Sequence, residues 1–400
     1  MRLRHMFRCP VVCPALLAVS FFLATGWAQT EIPAHSFKGA TDGADPYAGL
    51  IADSKGNGYG TTYAGGGSAN CQSGCETVYK ITSSAKETVL HAFTGGTTDG
   101  CYPYAPLVID KSGNVYGTTS GCGANNTGIV FKISPSEIET ILHNFGVAFL
   151  SGDGSYPRGG LALDAQGNLY GTTTQGGVIP DLAGTIFRVS PSGTETVLYS
   201  FTGGADGGEP IAGPILDESR NLYGTTHVGG AHNEGTVFEL SASGSLTVLY
   251  SFGGSTGDGL LPNAGVVLDK KGNLYGTTSL GGAAGVGTVY AMNPSSKTGK
   301  ILHSFSAING DGTEPYAGVV LDSAQANLYG ATPLGGSFGV GTVYRLSLSG
   351  LKETVLHSFG ATGDGSTPFG GVILDSKGNV YGTTSIGGKY NLGTVYRVVP

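Results

Sequence analysis

Gly113-Asn114-Val115-Tyr116-Gly117-Thr118-Thr119 is written, with small changes, seven times along this chain of 400 residues. Its tyrosine recurs at Tyr59, Tyr116, Tyr170, Tyr223, Tyr275, Tyr329 and Tyr381, at spacings of 57, 54, 53, 52, 54 and 52 residues. A steady period of this length is the mark of a repeat architecture, in which each copy contributes one small structural unit. A residue that is copied with the unit is therefore first a residue that builds the unit.

Working outward from the phrase, each period holds three more short segments. Residues 31–37 (EIPAHSF) are matched later by ETVLHAF and ETILHNF, residues 46–53 (PYAGLIAD) by PYAPLVID and PRGGLALD, and residues 76–81 (ETVYKI) by GIVFKI and GTIFRV. All are rich in β-branched and aromatic residues and bounded by Gly, Asp, Asn, Pro or Ser, which predicts short strands separated by turns. After the first 28 residues no stretch keeps a helical period. Four antiparallel strands in about fifty residues make one blade of a β-propeller, so an all-β, seven-bladed propeller is expected. Leu169 and Tyr170 point to opposite faces of a pleated strand and are both apolar, as a strand packed between neighbouring blades requires. Gly171, beside them, leaves room for a close neighbour.

The register at the ends predicts how the ring closes. The last repeat lacks its EIPAHSF-type strand, and residues 31–37 supply one with no partner before it. Joined to the last blade, the N-terminal strand completes it and removes an open edge. From the channel outward the strands are A (PYAGLIAD), B (the phrase), C (ETVYKI) and D (ETVLHAF). The A–B turn, Asp-x-x-Gly-Asn, is short and of a type that Asp, Gly and Asn favour. The longer B–C and D–A loops emerge on one face, where a site should be sought.

Composition narrows the class. With 71 glycines and 12% charged residues the chain is turn-rich and compact, not disordered. The first 28 residues hold Arg2, Arg4 and Arg8 and no acid, followed by an apolar run from Val11 to Ala24 that is short for a membrane span, then Gly26-Trp27-Ala28. This predicts an export signal cut after Ala28, a single propeller domain over 29–400, and a secreted or periplasmic monomer with no membrane segment after cleavage. The mature chain keeps 18 basic residues against 28 acidic ones, which argues against a nucleic-acid partner.

Most chemically suggestive residues are copies. His35, His91, His143, His303 and His357 share one strand-D position with Tyr199 and Tyr250, which reads as a packed aromatic with a polar tip. His227 and His232 break the pattern in one B–C loop with Glu234, the weak candidates for a metal site, short of the three or four ligands a zinc site takes. Asp42, Asp99, Asp153, Asp206, Asp258, Asp311 and Asp364 each precede glycine in a D–A loop. A second acid follows in Asp42/Asp45, Asp206/Glu209 and Asp311/Glu314, a pattern that suits calcium but is read in preference as an Asx-type turn. No cofactor is otherwise expected. No Ser, His and Asp stand in unequal roles at one place, so no catalytic residue is assigned.

Two frames at the start of strand A do change chemistry from blade to blade. One carries Tyr47, Tyr104, Arg158, Ile211, Asn263, Tyr316 and Phe369; two residues earlier the other carries Asp45, Tyr102, Tyr156, Glu209, Leu261, Glu314 and Thr367. The ligand-binding candidates are Asp45, Tyr47, Tyr102, Tyr104, Tyr156, Arg158, Glu209, Glu314, Tyr316 and Phe369. Tyrosines with interspersed carboxylates suit a sugar or another flat, polar ligand, while covering the top of the core is the plainer role. Cys71, Cys75, Cys101 and Cys122 lie in long-face loops, and export makes disulfides the default. Three pairings are open, and Cys71–Cys75 with Cys101–Cys122 is preferred because the latter two belong to loops serving one blade.

The strings NLYGTT, GTVFxL, TVLYSF and PxAGxxxD at this spacing resemble the GloVer tandem-repeat family over essentially everything after the leader. The resemblance implies an exported bacterial repeat protein of unassigned activity and carries no catalytic residues with it. In that family variable C-terminal anchors follow the repeats, whereas this sequence stops at Pro400 directly after a strand, so free secretion or a periplasmic location is the expectation. The leading expectation is a non-enzymatic propeller that binds a glycan or a protein on the long-loop face. The alternatives are a polysaccharide hydrolase or lyase using Asp45, Glu209 or Glu314, and a purely structural envelope repeat.

Overall fold

The computed structural model describes residues 31–67, 76–146 and 152–400. The expected leader, and Cys71 and Cys75, lie outside those residues. Seven four-stranded antiparallel sheets are present and no helix is found among the described residues. Blade 2 shows the unit: strand A is Val108–Ile109, B is Val115–Thr119, C is Ile129–Ile133 and D is Glu139–Asn144. Blade 7 is made of Ile373–Leu374, Val380–Thr384 and Thr394–Val398 with Glu31–Ser36 as its outer strand.

The ring therefore closes as the register predicted. Glu31 pairs with Val398 and Ser36 with Thr394, and the Phe37 amide donates to the Gly393 carbonyl at 3.1 Å. The core divides into seven apolar clusters, each shared by two neighbouring blades. The phenylalanine after strand D meets the strand-C aromatic of the next blade edge-on, as in Phe93–Phe131 at 5.3 Å, and Phe37–Tyr79 at 5.1 Å makes the same contact across the closure.

Each letter of the opening phrase has a physical job in this packing. A Cβ on Gly117 would lie 2.6 Å from the Phe131 ring, so the glycine is the seat of the strand-C aromatic. The first threonine leaves its blade: Thr118 Oγ1 donates to the Gly159 carbonyl of blade 3 at 3.1 Å, and Thr383 Oγ1 to the Ala48 carbonyl across the closure at 2.8 Å. The second threonine stays within it, with Thr173 Oγ1 bonded to Gln175 O at 2.9 Å and sharing a hydrogen bond with Thr185 at 2.8 Å. The tyrosine hydroxyl reaches back to the A–B turn, where Tyr116 donates to Asp110 at 3.0 Å. Asp110 also accepts from the amides of Ser112 and Asn114 and from the Asn114 side chain. Burial raises the Asp110 carboxyl, yet those donors outweigh it and hold the group below the usual carboxylate range.

Phe37 and Phe93 are both fully buried in equivalent contacts. Phe37→Ala and Phe93→Ala should each cost about 3–5 kcal/mol in urea unfolding of the purified protein. A silent Phe37→Ala beside a destabilised Phe93→Ala would mean that the N-terminal strand does not close the ring.

Candidate functional site: the channel mouth

The long loops are tied together on one face. In five blades the D–A and B–C loops pair as two-residue ribbons, such as Gly154–Ser155 with Gln175–Gly176, and in the other two single bridges join Ala44 to Ala64 and Gly208 to Val228. The Cys101–Cys122 disulfide, with Cα atoms 5.3 Å apart, lies in the blade 2 ribbon, in the preferred pairing. The aspartate of each Asp–Gly pair turns toward strand D. Asp153 approaches His143 at 3.2 Å, Asp364 approaches His357 at 2.9 Å, and the Tyr199 and Tyr250 hydroxyls donate to Asp206 and Asp258 at 3.0 Å. His143 also meets Phe145 edge-on at 4.8 Å. The shared His/Tyr position is thus a packed ring with a polar tip, and the Asp–Gly aspartates face strand D while Asp45, Glu209 and Glu314 lie in the frame before proline.

That second frame has an unusual backbone. Asp45, Tyr102, Tyr156, Glu209, Leu261, Glu314 and Thr367 all have positive φ, between 50° and 62°. The left-handed region is costly for residues other than glycine. Hydrogen bonds on both sides enforce it: the Glu209 amide donates to Ala183 O of the preceding blade at 2.8 Å, and Glu209 O accepts from the His227 amide at 3.3 Å. Glycine would fit with less strain, and 71 are present in the chain, yet none of the seven copies uses it. The frame retains side chains at the cost of backbone strain.

Two residues further on, Tyr47, Tyr104, Arg158, Ile211, Asn263, Tyr316 and Phe369 line a central cavity of about 410 Å³ together with strand-A segments from every blade. Below the mouth the segments approach backbone to backbone: a Cβ on Gly49 would stand 2.6 Å from Gly371 O. The mouth itself has two unlike halves. From blade 6 through blade 2 runs an aromatic crescent in which Tyr316 meets Phe369 at 5.7 Å, Phe369 stacks on Tyr47 at 5.0 Å, and Tyr47 meets Tyr63 at 5.3 Å. Tyr63 lies 5.2 Å from Tyr104 and 5.8 Å from Tyr102, and the Arg158 guanidinium sits 5.8 Å from the Tyr104 ring. The remaining blades bring Glu209, His227 and Asn263. Burial lowers the His227 pKa against the opposing pull of Glu209 and of its hydrogen bond with Asn263. Burial likewise raises the Asp45 carboxyl.

Of the sequence candidates, Tyr47, Tyr102, Tyr104, Arg158, Tyr316 and Phe369 join this continuous crescent. Asp45, Glu209 and Glu314 stand on blades 1, 4 and 6, no two of them adjacent, and Tyr156 shares their left-handed frame on blade 3. His227 belongs to the mouth, whereas His232 lies against Gly253 and Gly254 beside Glu234, so these three are not among the described residues that converge as a ligand set. Two participants escaped the sequence reading. Tyr63 directly follows the two threonines, a frame that also varies (Ser120, Thr174, His227) and so carried a signal. Glu76 occupies the place of Gly128 and its counterparts, is 1% exposed, and is pushed up to about 7 by burial.

The His, Asp and Glu side chains that do converge lie instead on the outer rim. Four sets, His35/Asp42/Glu87, His91/Asp99/Glu139, His143/Asp153/Glu195 and His303/Asp311/Glu353, each bring one ligand atom per residue within 4.8 Å of one another. Burial, reinforced by the nearby aspartate, pushes all four glutamates up from 4.5 to about 7. A raised carboxyl pKa gives stability that is full below about 4.5 and lost as pH rises through about 7. His91, raised, acts in the same direction; His35, lowered by burial, opposes it. In chelator-treated protein the unfolding temperature should fall between pH 5 and 7.5, and Glu139→Gln should make that fall shallower. An unfolding temperature that rises across this interval would contradict the assignment.

Comparison with known proteins places this geometry. The Gloeobacter/Verrucomicrobia repeat matches residues 21–180, 67–269 and 180–396. No curated protein sequence matches. Among solved structures the chain resembles an oligogalacturonate lyase of Vibrio parahaemolyticus (10% identity, 94% of this chain and 95% of that one, TM-score 0.58). It also resembles the extracellular domain of a putative hybrid two-component system of B. thetaiotaomicron (11% identity, 92% and 40%, TM-score 0.58) and a chain of the Mitotic Checkpoint Complex (12% identity, 100% and 99%, TM-score 0.58). At such identities these likenesses speak for the propeller fold alone, which hosts unrelated activities. With three matches that together run from residue 21 to 396, the chain belongs to the Gloeobacter/Verrucomicrobia repeat family.

Proposed function

We propose that this protein is an exported, non-enzymatic propeller that binds an extracellular glycan in its channel mouth. The observation that carries the reading is the central cavity, lined by a strand-A frame whose chemistry changes from blade to blade (Tyr47, Tyr104, Arg158, Asn263, Tyr316, Phe369), two residues after a left-handed frame that keeps side chains where glycine would relieve the backbone. Beside it the Tyr316–Phe369–Tyr47–Tyr63–Tyr104 crescent offers ring faces on which the apolar faces of sugar rings can stack. Across the mouth Arg158, Glu209, His227 and Asn263 supply the donors and acceptors that hydroxyl groups need. The basic, apolar leader supports export, and the Cys101–Cys122 disulfide is compatible with it.

The hydrolytic alternative would require two of Asp45, Glu209 and Glu314, which stand on separate, non-adjacent blades, to lie about 5–10 Å apart. A glycan array followed by calorimetry on the hits tests the reading. Wild type should bind an oligosaccharide, and Tyr47→Ala/Tyr104→Ala/Tyr316→Ala should weaken it about tenfold or more, roughly 1.4 kcal/mol. No binding by wild type, or equal binding by the variant, would overturn it. New reducing or unsaturated ends in the glycan, lost in Glu209→Gln or Glu314→Gln, would replace it with the enzymatic reading.

A further inference from the structure

The outer-rim sets repay a comparison of the blades with one another. In each set the histidine and aspartate belong to one blade and its outgoing loop, and the glutamate opens strand D of the next. His91 Nε2 lies 3.4 Å from Asp99 Oδ2 and 3.7 Å from Glu139 Oε2. Where strand D carries tyrosine instead, the following glutamate is gone: Tyr199 is followed one blade later by Leu246, and Tyr250 by Gly299. Tyr250 fills the vacated space, since a Cβ on Gly299 would stand 2.9 Å from its ring. Even the histidine outside the four sets obeys the rule in sequence, because Glu31 opens the strand that follows the blade of His357. The aspartate, by contrast, stays in all seven blades, where it caps loop amides such as Thr94 N at 2.6 Å and Gly100 N at 2.6 Å. Neither packing nor loop capping calls for the glutamate, which is present only where an imidazole Nε2 is.

The polar atoms at these places are out of solvent and incompletely bonded. His35 Nε2, His91 Nε2 and His303 Nε2, with one oxygen each of Glu87, Glu139 and Glu353, are buried and make no hydrogen bond. Such orphaned groups are costly unless something bonds them. In the sets of His35, His91 and His303 the separations of 3.4 to 3.7 Å are long for a hydrogen bond, whereas His143 bonds Asp153 at 3.2 Å. The His–Asp separations of 3.4 to 3.5 Å match the roughly 3.3–3.5 Å between two ligand atoms that each sit about 2.0–2.1 Å from a tetrahedral metal ion, and the 3.7 Å from His91 to Glu139 is slightly longer. Charge balances as well, since a neutral imidazole and two carboxylates are neutralised by one divalent cation. The backbone and threonine bonds that Asp99 accepts would orient it as an outer shell orients a ligand.

We propose that the four His–Asp–Glu sets are inter-blade binding sites for a first-row divalent cation, of which Zn²⁺ is the best match to one nitrogen and two carboxylate ligands. Each ion staples the outer strand of one blade to that of the next, a role separate from the channel mouth and independent of what binds there. Three protein ligands leave one position for water, as in open zinc sites.

Blades 3 and 4 supply the control variant, because they fold with the alternative residues. Chelator-treated wild type and His91→Tyr/Glu139→Leu are loaded with Zn²⁺ at pH 7.5, passed through a metal-free desalting column, and assayed for retained metal, with Mn²⁺ in a parallel arm. Wild type should retain several equivalents of Zn²⁺. The double variant should retain one fewer, and addition of His143→Tyr/Glu195→Leu should remove another. Glu139→Gln, which keeps the side-chain shape, should also lose one equivalent should the double variant fold poorly. Retention of Mn²⁺ in place of Zn²⁺ with the same stepwise loss would keep the sites and reassign the ion. No retained metal in wild type, or equal retention in the variants, would overturn the proposal.

Discussion

Everything in this molecule hangs on one contact repeated around the ring. An aromatic ring from strand C rests on the glycine of its own strand B, and the phenylalanine that ends strand D of the preceding blade meets that ring edge-on. The glycine fixes how deep the ring can sit, and the ring fixes how close the next blade can come. Aromatic pairs in this geometry add about 0.5–1.5 kcal/mol beyond the area they bury. Repeated seven times and closed by Phe37 on Tyr79, the contact leaves no blade that packs on one side only.

Once that spacing is set, the polar letters of the repeat are largely spent on joining blades and fixing turns. Threonine hydroxyls bridge to the next blade's backbone, the phrase tyrosine and the turn aspartate bond each other, and the Asp–Gly aspartate holds strand D to its loop. The positions with chemistry left over are few. They are the two strand-A frames and the residue after the threonines, which meet at the mouth, and the His/Glu pairs on the rim. The first group varies blade by blade, as a surface shaped to an asymmetric ligand does. The second varies as a linked pair, as two groups that serve a common third one do.

Much of the fold was legible because the period, the strand pattern and the spare N-terminal strand are properties of the sequence taken in order. The long-loop face followed from strand order, which also favoured Cys101–Cys122 among three open pairings once export made disulfides the default. The site was legible in part: Tyr47, Tyr104 and Tyr316 were visible as variable frames, but Tyr63 was hidden by sitting one residue past a copied phrase. The left-handed φ of Asp45 and its six counterparts has no signature in residue type, since glycine, the usual sign, is absent there. The link between His91 and Glu139 was hidden for another reason. It joins the end of one strand D to the start of the next, 48 residues further along the chain, and only the packing of one blade on the next brings them to 3.7 Å.

The central claim is that seven equivalent interfaces, one of them formed by the two ends of the chain, make a single closed ring. Hydrogen–deuterium exchange of the intact protein tests it most directly. The account predicts that amides of residues 31–37 and 394–398 are protected as strongly as those of strands C and D in blade 2. Exchange of residues 31–37 at the rate of unpaired chain, with the other blades still protected, would contradict it.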